Sequence, residues 1–88
     1  MDIEKIKQDW KERGFSCDIF TDPPEQKWDN FTHDSDELFM VLEGEVELEM
    51  NKKVLHLKIG EEIFIPTGTL HSVRNIGMTK SRWLYGYN

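Results

Sequence analysis

The sequence has few cysteines, few basic residues and no long apolar run. Cys17 is the single cysteine, so no disulfide forms within the chain, and a reducing cytoplasm is the expected location. Lys and Arg number 11 against 17 Asp and Glu, and the net charge of -6 argues against nucleic acid as a partner. The longest apolar run, residues 38–42, is far shorter than the ~20 residues that span a bilayer, so no membrane contact is expected.

The length of 88 residues indicates one domain, because chains divide above roughly 150 to 200 residues. A domain this small buries only about 60% of its unfolded surface, so we expect a homodimer. Cys17 has no neighbouring base in sequence, which favours a buried inert thiol over a nucleophile.

The first segment has the apolar spacing of an amphipathic helix. Ile3, Ile6 and Trp10 recur at three- and four-residue intervals among charged residues. Asp2 is the expected N-cap and Gly14 the expected stop. The predicted organisation is a helix over residues 1–14 packed on a β-barrel over residues 15–88.

The remaining chain has the pattern of short strands. Residues 45–50 alternate strictly, which places Val46, Leu48 and Met50 toward a core and three glutamates toward water. Apolar runs of similar length follow, separated by turn residues that include Gly44, Gly60 and residues 66–68. Many short strands without helices between them predict an all-β fold.

Three side chains in this predicted fold are candidate metal ligands. His33 and Glu37 lie four apart on a segment that has the character of a strand, so both are expected on one face. His71 opens a later strand and shares its face with Val73 and Asn75. Two imidazoles and one carboxylate suit Fe, Mn, Ni, Co or Zn. Taken singly, each residue is more often structural or exposed.

The residues around these candidates resemble the two sequence motifs of the cupin family. The second motif has fixed glycine, proline, glycine, histidine and asparagine, all matched here by Gly60, Pro66, Gly68, His71 and Asn75. The first motif is matched at His33, Glu37 and Gly44, while Glu25 stands in place of its glycine and Phe31 in place of its first histidine.

The resemblance implies a small single-domain cupin-type β-barrel, or jelly roll, with a short N-terminal α-helix. It also implies a divalent transition metal held by His33, Glu37 and His71, one histidine fewer than the full family set. Phe31 shares the inward face with His33 by parity, and is either pocket or core. Phe31, Phe39 and Val73 are assigned to the pocket lining.

Two functions remain open from the sequence. The first is a metal-dependent enzyme acting on a small molecule, of oxygenase, isomerase or decarboxylase type. The second is a non-catalytic module that binds a small ligand. An acid or base positioned inside the barrel, beyond the three candidate ligands, would discriminate between them, and the sequence does not identify one. His56 is expected to be exposed, and Asn75 to bind backbone groups. For Trp83, Tyr85 and Tyr87, parity cannot distinguish the cavity from a dimer contact.

Overall fold

One helix precedes eight strands in the computed structural model, which describes residues 2–88 except for the side chains of Asn30 and Phe31. The elements are α1 (Ile3–Glu12), β1 (Asp18–Asp22), β2 (Lys27–Phe31), β3 (Glu37–Glu43), β4 (Val46–Met50), β5 (Lys53–His56), β6 (Glu62–Ile65), β7 (His71–Asn75) and β8 (Ser81–Tyr87). No helix in residues 2–88 is long and apolar enough to cross a membrane.

The strands form two antiparallel sheets of four. Their orders are β1-β8-β3-β6 and β2-β7-β4-β5, so most neighbours in a sheet are distant in sequence. Among residues 2–88, only β4 and β5 form a hairpin of consecutive strands, with positive φ at Asn51 and Lys52 in the turn between them. Two crossed-over sheets of this kind are typical of a jelly roll. The all-β prediction is therefore confirmed, with the barrel built as two packed sheets.

The main core lies between the two sheets. Val46 and Leu48 point inward from β4, as their alternation predicts, and meet Phe39, Val41 and Trp83 from the opposite sheet. Burying one large apolar side chain contributes about 1.5–3 kcal/mol, so this layer holds the sheets together. The turn glycines Gly44, Gly60 and Gly68 all have positive φ, which a residue without Cβ adopts at little cost.

A second apolar cluster lies on the outer face of the β1-β8-β3-β6 sheet, under α1. Trp10 is fully buried there against Leu38, Met40 and Leu84, which alternate with the inward residues of the same strands. Asp2 caps the helix by accepting a hydrogen bond from the Lys5 amide at 3.2 Å. The amphipathic stripe thus docks the helix on the sheet.

Cys17 lies at the edge of this outer cluster. Its side chain is half-buried, so the expectation of a buried thiol is correct only in part. Burial raises the pKa of the Cys17 thiol, opposed by the charge of Lys7. A thiol with a raised pKa forms little thiolate at neutral pH, which fits an unreactive cysteine.

Glu62 ties the helix to the edge strand β6. Its carboxylate accepts two bonds from Arg13 at 2.8 Å each and one from Trp10 Nε1 at 3.0 Å. Hydrogen bonding to Arg13 lowers the pKa of Glu62, against the opposing effect of burial. The ionised form of Glu62 is therefore favoured in the folded protein.

We expect the Glu62 contribution to stability to depend on pH. Because the folded pKa lies below the unfolded one, the stabilisation is present above about pH 4.3 and is lost as pH falls through the lowered folded pKa. Glu62→Gln should therefore unfold at lower urea concentration than wild type at pH 7, and the difference should shrink below pH 4. Glu61→Gln is the matched control. A difference independent of pH would contradict this account.

Candidate metal site

Three separate pieces of backbone bring His33, Glu37 and His71 together at one end of the two sheets. Glu37 is the first residue of β3, where it pairs with Ile65 and Tyr87 on the neighbouring strands. His71 is the first residue of β7 in the other sheet. His33 lies in the connection between β2 and β3. The site therefore spans both sheets and one loop.

The placement of His33 differs from the expectation. The prediction that His33 and Glu37 share one strand is wrong, because β2 ends at Phe31 and β3 begins only at Glu37. Residues 34–36, Asp-Ser-Asp, are polar turn formers that interrupt the strand. The two side chains therefore meet because the loop turns back toward the sheet.

The loop carrying His33 is fastened to the turn that precedes His71. The His33 carbonyl accepts bonds from the Gly68 amide at 3.0 Å and the Thr67 hydroxyl at 3.2 Å. The Asp36 carboxylate accepts a bond from the Thr67 amide at 2.8 Å. The turn at residues 67–68 thus positions His33. The Asp36 carboxylate binds a backbone amide in the same turn.

The potential ligand atoms converge on Oε1 of Glu37. His33 Nε2 lies 3.5 Å and His71 Nε2 3.4 Å from this oxygen. One ligand atom from each residue lies within 4.8 Å of the others. The side chains of His71 and Glu37 are 1% and 6% exposed, while that of His33 is 28% exposed, so the site is reached from the His33 side.

The ring of His71 has a defined tautomer when neutral. Its Nδ1 lies 2.9 Å from the Thr69 carbonyl, which can only accept, so Nδ1 carries the hydrogen and Nε2 the lone pair. Burial by itself lowers the pKa of His71, but interaction with Glu37 and with Thr69 outweighs burial, and the pKa is raised above its ordinary 6.5. The surroundings of Nε2 thus favour positive charge.

The buried oxygen of Glu37 provides a test of whether a metal would fit. Within the described residues, Glu37 Oε1 is buried and has no hydrogen-bond partner. When His71 is neutral, this oxygen faces the lone pair of its Nε2, and the two acceptors repel unless a proton or a metal ion lies between them. Adjacent ligands about 2.1 Å from one ion lie roughly 3.0–3.5 Å apart, which matches the two distances to Glu37. The residues therefore fit a divalent metal.

Tyr87 contacts His33, one member of the candidate triad formed by His33, Glu37 and His71. Its hydroxyl lies 3.2 Å from His33 Nε2, and the two ring centroids are 4.6 Å apart. Burial raises the pKa of Tyr87 to about 12, with added contributions from the charges of Glu37 and Tyr85. The side chain is therefore a neutral phenol at physiological pH.

A cavity of about 200 Å³ lies between the two sheets and reaches the candidate ligands at Glu37, which is part of its lining. Phe39 and Val73 line it, while the side chain of Phe31 lies outside the described residues. Aromatic side chains dominate the lining that the described residues form, which consists of Phe20, Trp28, Glu37, Phe39, Val73, Trp83, Tyr85 and Tyr87. The C-terminal aromatic residues thus face the cavity, which parity alone could not determine.

Two further residues lie where the sequence predicted. His56 is exposed at the end of β5 and outside the triad. Asn75 is buried and donates to the carbonyls of Pro23 and Thr79 at 3.0 Å each, while accepting from the Gly77 amide at 2.9 Å. Asn75 is therefore a structural amide that fastens two loops.

Sequence reasoning did not identify the roles of Tyr87 and Thr69. Tyr87 reaches His33 because it lies opposite Glu37 on the neighbouring strand, a register that pattern alone does not reveal. Thr69 acts through its carbonyl, which carries no side-chain signal. In the sequence, the one sign of this role is that Thr69 lies two residues before His71.

Comparison with known proteins identifies relatives over part of the chain. The uncharacterized protein YdbB of Bacillus subtilis (strain 168) is 46% identical over 43 residues, which are 48% of this chain and 38% of YdbB. The chain thus spans less than half the length of this curated relative.

Solved structures share the fold across most of the chain. A cupin superfamily protein from Desulfitobacterium hafniense DCB-2 aligns with a TM-score of 0.74 at 15% identity, covering 83% of this chain and 65% of that one. The DMSP lyase DddQ from Ruegeria pomeroyi DSS-3 aligns with a TM-score of 0.75 at 21% identity, covering 84% of this chain and 38% of that one. The family model for the cupin domain matches residues 18–87, and the chain belongs to the cupin family.

Proposed function

We propose that this cupin is a metal-dependent enzyme that acts on a small molecule. The observation that carries the proposal is the buried Glu37 Oε1, which lies 3.4–3.5 Å from the Nε2 atoms of His71 and His33. His33, Glu37 and His71 would hold one divalent ion of Fe, Mn, Co, Ni or Zn. A bound ion of this kind would supply Lewis acidity toward an oxygen-donor ligand. A redox-active metal would also supply oxygen chemistry.

The cavity supports a small and mainly apolar substrate. An apolar cavity of about 150 Å³ accepts benzene, so the 200 Å³ space here admits a molecule of about one ring or a short branched chain. Glu37 and the phenols of Tyr85 and Tyr87 are the ionisable groups in the lining. The substrate we expect has an oxygen donor at the triad and an apolar body against the aromatic wall.

The fold relationship is consistent with catalysis. The DMSP lyase of Ruegeria pomeroyi, with which the chain shares its fold, is an enzyme. At 21% identity this relationship carries no information on the substrate of this chain, so oxygenase, isomerase and lyase-type reactions, including decarboxylation, all remain within the proposal.

One observation favours a second candidate, a non-catalytic ligand-binding module. Apart from Glu37 and the two tyrosines, none of the side chains that line the cavity in the described part of the chain can transfer protons. Native mass spectrometry of protein purified from cells would identify a co-purifying ligand. Incubating the metal-loaded protein with that compound distinguishes the two functions, because an enzyme converts it and a binding module returns it unchanged.

Metal removal is expected to destabilise the protein. A ligand present at 100 times its Kd stabilises the folded state by about 2.7 kcal/mol. For a domain of this length, that corresponds to a Tm lower by roughly 10–20 °C after chelation. Protein purified without a histidine tag should contain about one equivalent of transition metal, measured by mass spectrometry of the elements. An unchanged Tm after EDTA, together with no bound metal, would count against the proposal.

A further inference from the structure

The contact between Tyr87 and His33 uses Nε2, the same His33 nitrogen that faces Glu37. Nε2 of His33 lies 3.2 Å from the Tyr87 hydroxyl and 3.5 Å from Glu37 Oε1. An imidazole nitrogen has a single in-plane position, which holds either one hydrogen or one lone pair. Nε2 therefore cannot serve the phenol and a metal at once, whichever tautomer His33 adopts.

The backbone of Tyr87 is held in place beside the site. Its carbonyl accepts from the Ser16 amide at 2.9 Å, and its amide donates to the Ser16 hydroxyl at 3.0 Å. Tyr87 also pairs with Glu37 across β3 and β8. A hydroxyl displaced from His33 thus stays at the mouth of the cavity, where it can rotate toward an incoming ligand.

The lining of the cavity limits which groups can meet an anionic ligand. Among the described side chains, no Lys or Arg lines the cavity, and Tyr85 and Tyr87 are the hydroxyl donors in its lining. Tyr85 pairs with Phe39, two residues deeper along the strand than the Glu37 level. Tyr87 is therefore the donor placed at the triad.

We propose that the Tyr87 hydroxyl is an exchangeable hydrogen-bond donor. It bonds His33 Nε2 in the metal-free protein and donates to an acceptor oxygen of a small substrate once that nitrogen is a metal ligand. The inference rests on the proposed metal site and adds the residue that recognises the oxygen of the substrate beside the metal. Tyr87 is a substrate-contacting residue in this scheme.

The test uses Co²⁺ as the metal and acetate as the probe, followed by the visible spectrum of Co²⁺. Tyr87→Phe should weaken acetate binding by about tenfold or more, because a hydrogen bond to a charged group is lost. Its Co²⁺ affinity should equal or exceed that of wild type, since no bond to His33 must be broken. Thr21→Val, which removes an exposed hydroxyl on β1 outside the cavity lining, is the matched control and should behave as wild type in both titrations.

The outcomes separate this inference from the metal site itself. Wild type that binds Co²⁺ but no acetate, or Tyr87→Phe that binds acetate like wild type, overturns the inference and leaves the metal site standing. A tenfold loss of Co²⁺ affinity in Tyr87→Phe also overturns it, because Tyr87 would then support the ligands. Wild type that takes up no Co²⁺ overturns both proposals.

Discussion

Replacing His71 with alanine is expected to abolish metal binding. His71 is buried, and the Thr69 carbonyl orients its Nε2 toward Glu37. Loss of a partner that only orients a ligand typically costs 10–100-fold in metal affinity, so loss of the ligand itself should cost more than about 100-fold. Isothermal titration of EDTA-treated, tag-free protein with Zn²⁺ or Co²⁺ measures the effect.

His56→Ala is the matched control for this experiment. His56 is exposed at the end of β5 and lies outside the triad, so its removal should leave metal affinity unchanged. Glu37→Gln tests the same site with little change of shape, and should reduce affinity comparably by removing the negative charge. Equal affinity in wild type and His71→Ala, with both variants folded by circular dichroism, would contradict the proposed ligand set.

Gly86→Ala is expected to cause the largest loss of stability. A Cβ at Gly86 would overlap the Ser16 carbonyl and crowd the Trp10 ring, so the segment after α1 would have to move off β8. Overpacking typically costs about 1–3 kcal/mol, and an overlap with backbone atoms should lie at or above the upper end of that range. For a domain whose total stability is about 5–15 kcal/mol, a large share is lost. Urea unfolding followed by tryptophan fluorescence measures the change.

Gly77→Ala is the matched control for the glycine variant. A Cβ at Gly77 would approach the Asn75 side-chain oxygen at 3.4 Å, an ordinary van der Waals distance. Its effect should therefore stay within about 1 kcal/mol. If Gly86→Ala were as stable as Gly77→Ala, the close approach of Ser16 to β8 would be wrong, and with it the anchoring of Tyr87.

Much of the fold was predictable because it follows from local sequence patterns, namely strand alternation and turn residues. The alternation in residues 45–50 places Val46 and Leu48 in the core, and the second cupin motif sets the turn before His71. The position at which the helix docks is harder to predict, since the contacting residues Trp10 and Glu62 are 52 positions apart in sequence. Such a contact depends on sheet order, which strand periodicity does not encode.

The identities of the triad were predictable, but not its construction. The motif spacing selects His33, Glu37 and His71, and the structure brings these three side chains together. The polar turn at residues 34–36 ends the strand pattern before Glu37, so His33 lies in a loop, which the four-residue spacing alone does not reveal. The inward direction of Tyr87 required the register between β3 and β8. The homodimer stays a prediction, because it depends on a second chain.

An anomalous diffraction map of crystals grown with Co²⁺ tests the central claim most directly. The account predicts a single strong peak bounded by the Nε2 atoms of His33 and His71 and by Oε1 of Glu37. A map without a peak there, with the three side chains hydrogen-bonded around ordered water, would contradict the metal site.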